Sequence, residues 1–264
     1  MHPMLNIAIR AARGAGNVIV RSLDRLDRVD VAEKSQNDYV TEVDRQAEHE
    51  IIRTIQKAYP AHAILAEESG AQTGRRGGND EYRWVIDPLD GTTNYLHGFP
   101  QFAVSIALEY RGQLEQAVVY DPLKNELFTA SRGGGAQLNG RRIRVTNRRN
   151  LHGALLGTGI PFREEQDLDS YLDTLKALIP GTAGVRRAGS AALDLAYVAA
   201  GRLDGFWEFQ LNRWDMAAGV LLVLEAGGMV GDMTGGPDHL ESGNIVCGGP
   251  KVYQAMLERL RETR

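Results

Sequence analysis

Residues 83–94 read Arg-Trp-Val-Ile-Asp-Pro-Leu-Asp-Gly-Thr-Thr-Asn, and the organisation of the chain can be worked outward from them. The run 83–87 is short, apolar and closed by a carboxylate, which reads as a buried strand delivering Asp87 to a sheet edge. Pro88 lacks an amide hydrogen, so regular ladder pairing stops there and the chain turns. Asp90 comes three residues after Asp87, close enough for both carboxylates to converge on one cation, with the Leu89 carbonyl between them. Gly91 lets backbone approach a ligand closely. Thr92 and Thr93 offer hydroxyl and N–H groups where a short helix can begin, a common way of cradling phosphate.

Toward the N-terminus, Leu5, Ala8, Ala12, Ala15, Ile19 and Leu23 recur at three- and four-residue steps and predict an amphipathic helix. The charged stretch 24–34 reads as its frayed end and a connection. A second helix is expected from near Thr41, with Asp44 in a capping-box-like position, Val43, Ala47, Ile51 and Ile55 buried, and Pro60 ending it. AILAEE at 63–68 is a second strand ending in carboxylates, and the glycine-rich 71–81 reads as a surface loop. Beyond Phe102 the texture is β through Val145: FAVSIALEY, QLEQAVVY, NELFTAS and RRIRV, with Asn139-Gly140 favouring a tight hairpin turn. This first half reads as two helices on an antiparallel sheet. The second alternates strand (ALLGTGI), helix (164–179), helix (AALDLAYVAAG), strand (DGFWEF), helix (214–228), strands (MVGD, NIVCGG) and a last helix, which predicts an α/β layer. No repeat or low-complexity linker separates the halves, about 1–148 and 149–264, so one compact unit is expected.

The chain has 264 residues, 43% hydrophobic and 24% charged, ample for a core. A net charge of −4 gives no global attraction to nucleic acid or anionic lipid. The single cysteine, Cys247, rules out an internal disulfide and reads as packing in an apolar strand. Arg10 and Arg13 interrupt the apolar N-terminus, which argues against a signal peptide, and no run approaches the ~20 apolar residues of a membrane span. A cytoplasmic protein is expected.

Taken singly, Asp-Pro-x-Asp-Gly is most often a solvated turn, Glu67-Glu68 surface charge, and Asp215 a residue favouring a helix start. Their repetition changes the reading. Carboxylates gathered at the ends of buried strands and at the head of an apolar helix need a counter-charge, and hard oxygen donors without neighbouring His or Cys suit Mg²⁺.

Four separated blocks carry a family resemblance: Lys34-Ser…Asp38-x-Val-Thr-x-x-Asp44, Glu67-Glu-Ser69, Trp84–Asn94 and Trp214-Asp-Met-Ala-Ala-Gly…Glu225-Ala-Gly-Gly228. In that order they resemble the inositol monophosphatase family over essentially the whole chain. Within it the opening residues and GSAALDLAYVAAGRLDGF at 189–206 are similar to the bacterial SuhB-type branch. The resemblance implies a layered αβαβα sandwich of the inositol monophosphatase and fructose-1,6-bisphosphatase type. It implies two Mg²⁺ ions, one on Glu67, Asp87 and the Leu89 carbonyl, the other on Asp87, Asp90 and Asp215. Glu67 and Thr92 would position and activate water; Gly91, Thr92 and Thr93 would meet phosphate; Glu208, Ala191 and Arg186 would face the alcohol. Lys34, Asp44 and Glu68 would support them. Hydrolysis of inositol 1-phosphate, sensitivity to Li⁺ and a homodimer also follow from the resemblance.

Two alternatives stay open. Related phosphatases act on fructose 1,6-bisphosphate, phosphoadenosine phosphate or histidinol phosphate, and fold likeness does not separate them. The SuhB-type branch also implies a regulatory role with NusA and RNA polymerase in ribosomal RNA antitermination. Arg141, Arg142, Arg144, Arg148 and Arg149 are the notable basic stretch, more simply read as a solvated hairpin. Without interleaved aromatics no direct nucleic-acid binding is expected.

Overall fold

The computed structural model of the chain describes residues 2–23, 31–35, 38–74, 79–161 and 167–262, without the side chains of 31–35, 38–41, 79 and 80. Helix α1 (Pro3–Leu23) is followed by a hairpin of β1 (Val31–Ser35) and β2 (Asp38–Thr41), then α2 (Glu42–Ala58). Strands β3 (His62–Ala66), β4 (Gly70–Gln72) and β5 (Asn79–Asp90) lead to a single turn, α3 (Thr92–Leu96). A meander follows: β6 (Ala103–Tyr110), β7 (Gln113–Asp121), β8 (Glu126–Ser131), β9 (Gly135–Leu138) and β10 (Arg141–Arg142). The second half runs β11 (Leu155–Thr158), α4 (Leu168–Leu178), β12 (Gly184–Arg186), α5 (Ala191–Ala199), β13 (Gly205–Glu208) and α6 (Arg213–Glu225). It closes with β14 (Met229–Gly231), α7 (His239–Ser242), β15 (Ile245–Gly248) and α8 (Pro250–Arg261).

These elements stack as alternating helix and sheet layers. The eight-stranded sheet has the order β10-β9-β8-β7-β6-β5-β3-β4, antiparallel except for β3 beside β5. The five-stranded sheet has the order β12-β11-β13-β15-β14 and is mixed. The apolar stripes of α1 and α2 cover one face of the larger sheet, with Ile19, Ile51, Ile55, Trp84 and Ile106 in one core. Helices α5 and α6 fill the space between the sheets, where Ala107 and Phe128 share a core with Leu195, Leu221 and Phe206. Helices α4 and α8 cover the outer face of the second sheet around Trp207, Tyr171 and Met256. A fully buried large apolar side chain contributes roughly 1.5–3 kcal/mol, an exposed ion pair about 0–1 kcal/mol. The layers are therefore held by these cores rather than by surface pairs such as Lys176–Asp173.

The departures from the sequence reading are local. The stretch expected to be connection up to Lys34 ends in strand β1, and 24–30 lie outside the described residues. The loop expected at 71–81 contains the end of β4 and the start of β5, with 75–78 outside the description. RRIRV pairs as a strand only at Arg141 and Arg142. The Ile143 amide still donates to Ala136 of β9, and then the Val145 amide donates to Ala226 at the end of α6. The described part of the fourth helix begins at Leu168, where Asp167 accepts from the Ser170 amide. The three residues of β12 are too few to show a period. The Asn139-Gly140 turn forms as expected, with φ of 48° and 78°, the paired positive values of a type I′ turn. Cys247 is fully buried in β15, where burial pushes its thiol far above the usual range. Among the described residues no helix is long and apolar enough to cross a membrane.

Candidate active site

The carboxylates at the strand ends meet in one cleft of about 670 Å³. Asp87 lies within the buried stretch Trp84–Leu89 of β5 and is 1% exposed; its Oδ1 accepts from the Leu89 amide at 2.9 Å. The β5–β6 register breaks between Asp87 and Asp90, at Pro88-Leu89, and that bulge swings Asp90 to the same side. Asp215 lies in the first turn of α6, where its Oδ2 accepts from the Asn212 amide at 2.7 Å. One oxygen from each of Asp87, Asp90 and Asp215 falls within 4.8 Å of the others. Oxygens bound to one ion at 2.0–2.6 Å lie within roughly 4–5 Å of each other, so the three fit a common hard cation. Glu67, after β3, and Leu89 also line the cleft.

Electrostatics agree with that fit. Burial first, then the charges of Glu67, Asp90 and Asp215, push the Asp87 carboxyl well above its ordinary range. Asp215 is raised by burial and by Asp90 and Glu67. Asp90 rises to about 6 through burial, against the pull of hydrogen bonds from Ser190 and the α5 amides. Acids so arranged keep their protons unless a positive charge compensates them. Among the described residues no His or Cys belongs to the cluster, so its donors are oxygen alone.

Around the carboxylates the remaining parts fall into place. Gly91 has φ of 94°, and a Cβ there would come within 2.9 Å of the Gln101 carbonyl. The Thr92 hydroxyl lies 3.0 Å from Asp44 Oδ1 and 3.1 Å from the Leu89 carbonyl, either of which can accept its single hydrogen. Asp44 is fully buried on α2. Thr93, Ala191 and Glu208 line the cleft. Glu208 ends β13 beside Gly159, which follows β11 and leaves room for it, since a Cβ at Gly159 would sit 1.8 Å from its Oε1. Burial, with the charges of Asp194 and Asp90, raises the Glu208 carboxyl to about 8.

Three expected residues stand differently. Arg186 is exposed on β12, its Nη1 donating to the Val185 carbonyl, and it does not line the cleft; the adjacent Arg187 does. Glu68 is outside the cleft lining, and its amide donates to Glu48 Oε2 at 2.8 Å. Lys34 is in β1, and its side chain lies outside the described residues.

The model of the inositol monophosphatase family matches residues 1–264. The chain belongs to the inositol monophosphatase family. It is 61% identical over 263 residues to Nus factor SuhB of Pseudomonas aeruginosa, covering 99% of this chain and 97% of that one. Its fold superposes on extragenic suppressor protein suhB of Bartonella henselae with a TM-score of 0.95 at 44% identity, covering 99% of both chains. Inositol monophosphatase of Anabaena (Nostoc) aligns with a TM-score of 0.86 at 39% identity over 98% of this chain and 95% of that one. The layered αβαβα fold of this phosphatase family is thus the fold of the chain.

Some contacts in and around the cleft of this family member escaped the sequence reading. Asn94 places Nδ2 at 2.7, 2.9 and 3.1 Å from the carbonyls of Gln101, Ala188 and Gly189. Ser190 bonds Asp90, and its position just before an apolar helical run is an N-cap signal. Asp194, outside the cleft lining, is 2% exposed, and its Oδ1 has no hydrogen-bond partner among the described residues. No local pattern marks it.

Proposed function

We propose that this chain is a Mg²⁺-dependent phosphomonoesterase whose substrate is a small phosphorylated polyol, inositol 1-phosphate in the first place. The observation that carries this reading is the convergence of Asp87, Asp90 and Asp215 beside the Gly91-Thr92-Thr93 turn. Glu67, Asp87, the Leu89 carbonyl, Asp90 and Asp215 would hold the cations. A divalent ion there supplies positive charge for the phosphoryl oxygens and Lewis-acid activation of water.

The remaining roles belong to the chain. Thr92 gives its hydroxyl hydrogen to Asp44 or Leu89, which leaves its oxygen lone pair to accept from a water aligned with Glu67. Gly91, Thr92 and Thr93 bind phosphate oxygens through amide and hydroxyl groups. Glu208 and the backbone at Ala191 receive the hydroxyls of the alcohol. Water attacks phosphorus in line, the bond to the alcohol oxygen breaks, and that oxygen takes up a proton. Site residues come from both 1–148 and 149–264, which supports treating the chain as one catalytic unit.

A test is phosphate release from inositol 1-phosphate, fructose 1,6-bisphosphate, phosphoadenosine phosphate and histidinol phosphate, with Mg²⁺ and with chelator. Preferred, Mg²⁺-dependent release from the inositol ester is expected. Equal or greater release from another ester overturns the substrate, and metal-independent release overturns the mechanism.

A second role draws on the relatives named Nus factor: a cytoplasmic partner of NusA and RNA polymerase, acting as a homodimer. The surface offered is the run 141–149, in which Arg141, Arg142, Arg144, Arg148 and Arg149 are all exposed. The apolar residues of the strands in 102–145 are covered within the chain by helices on both sheet faces. Exposed apolar side chains instead stand on α4 and at its end, at Leu168, Leu172 and Ile179, and these are the candidates for contact between copies.

A further inference from the structure

Asp90 is held from across the molecule. It lies in the first sheet, yet its Oδ2 accepts from the Ser190 hydroxyl at 2.5 Å and from the Ala192 amide at 2.8 Å. Ser190 is 2% exposed and caps α5, its oxygen accepting from the Leu193 amide at 3.4 Å. One hydroxyl therefore links the head of α5 to a carboxylate of the cluster. The segment before it is pinned independently, because Asn94 binds the carbonyls of Ala188 and Gly189. Pinned on both sides, Ser190 has little freedom to move away from Asp90.

We propose that Ser190 is a positioning residue for the cation cluster. It commits Asp90 Oδ2 to α5, so that Asp90 meets the ion through its other oxygen alone, in one fixed orientation. Two hydrogen bonds to one oxygen fix the carboxylate plane, which an unbonded carboxylate would be free to rotate. Groups that hydrogen-bond a ligating carboxylate typically change metal affinity by about 10–100-fold when removed. The inference rests on the cation reading above and adds to it the residue that orients Asp90.

The experiment titrates Mg²⁺ calorimetrically into the full chain and its variants. Wild type and Ser190→Thr, which keeps the hydroxyl, are expected to bind alike. Ser190→Ala is expected to bind about tenfold more weakly. Asp167→Ala removes a side-chain cap from α4 instead and is expected to leave affinity unchanged. Thermal unfolding without metal should show both alanine variants folded and modestly destabilised, and the KM for Mg²⁺ should rise only in Ser190→Ala. Absence of Mg²⁺ uptake by wild type overturns the cation reading itself. Uptake by wild type with Ser190→Ala within about twofold of it overturns the role of Ser190. Equal weakening in Asp167→Ala overturns it too, since any lost helix cap would then suffice.

Discussion

The Thr92 hydroxyl lies 3.0 Å from Asp44 Oδ1, which joins the start of α3 to the first turn of α2. With Asp44 as the acceptor of its single hydrogen, the threonine oxygen keeps a lone pair for the cleft. Asp44→Ala should lower kcat by about 10²–10⁴, the usual worth of a positioned acid–base group, with the KM for Mg²⁺ nearly unchanged. Steady-state kinetics at saturating Mg²⁺ check this, and an effect confined to the metal KM would remove Asp44 from the water-activating pair.

Asp87→Asn should nearly abolish hydrolysis while leaving the circular dichroism spectrum intact. The carboxylate is 1% exposed and repelled by Glu67, Asp90 and Asp215, so its neutral isostere should make the metal-free protein more stable. Thermal denaturation in chelator is the measurement. A lower Tm for the variant would mean that the cluster does not carry the repulsion argued here.

Stability without metal should depend on pH through Glu208. Its carboxyl rises from 4.5 to about 8, by burial and by the charges of Asp194 and Asp90, although part of its surface faces the cleft. The folded state therefore binds this proton more tightly than the unfolded one. Stability is full below about 4.5 and is lost as pH rises toward 8. Glu208→Gln should flatten this slope, with its largest stabilisation relative to wild type near pH 8. Parallel Tm curves for the two proteins between those limits would count against it.

Gly159→Ala should harm recognition more than folding. The added Cβ would overlap Glu208 Oε1, the far end of a flexible side chain that can swing aside. The expected result is a several-fold higher KM for the phosphorylated polyol with little change in Tm or in Mg²⁺ affinity. A large drop in Tm would show that Glu208 has nowhere to go.

Charge reversal at Arg141 and Arg142 should separate the two proposed roles. Both side chains are exposed on the edge strand β10 and are not part of the cleft lining, so hydrolysis should be unchanged. Capture of purified NusA should weaken, because exposed charge steers association with an acidic surface. Undiminished capture would move the partner surface elsewhere.

Much of this arrangement was legible before any coordinates. Apolar periodicity marked α1 and α2, and residue type with spacing singled out Asp87, Asp90 and Asp215, acids that the fold gathers in one cleft, because those signals are local. Arg186 shows the limit: in an Arg-Arg pair, sequence does not say which guanidinium faces the cleft. The structure puts Arg187 there and turns Arg186 away.

What the sequence determined by itself is the longer helices and strands and the chemistry they can carry: buried strands that bring acids to their ends, and an acid heading an apolar helix. Tertiary structure alone decided how those acids converge. The bond between Ser190 and Asp90 joins residues a hundred positions apart, and Asn94 reaches across a similar span to Ala188 and Gly189. Contacts of that kind leave no periodic trace, since they depend on which layers meet when α5 and α6 pack between the two sheets. Asp194, whose Oδ1 has no hydrogen-bond partner among the described residues, is the same case: only burial, set by the fold, separates it from an ordinary exposed acid in a helix's first turn.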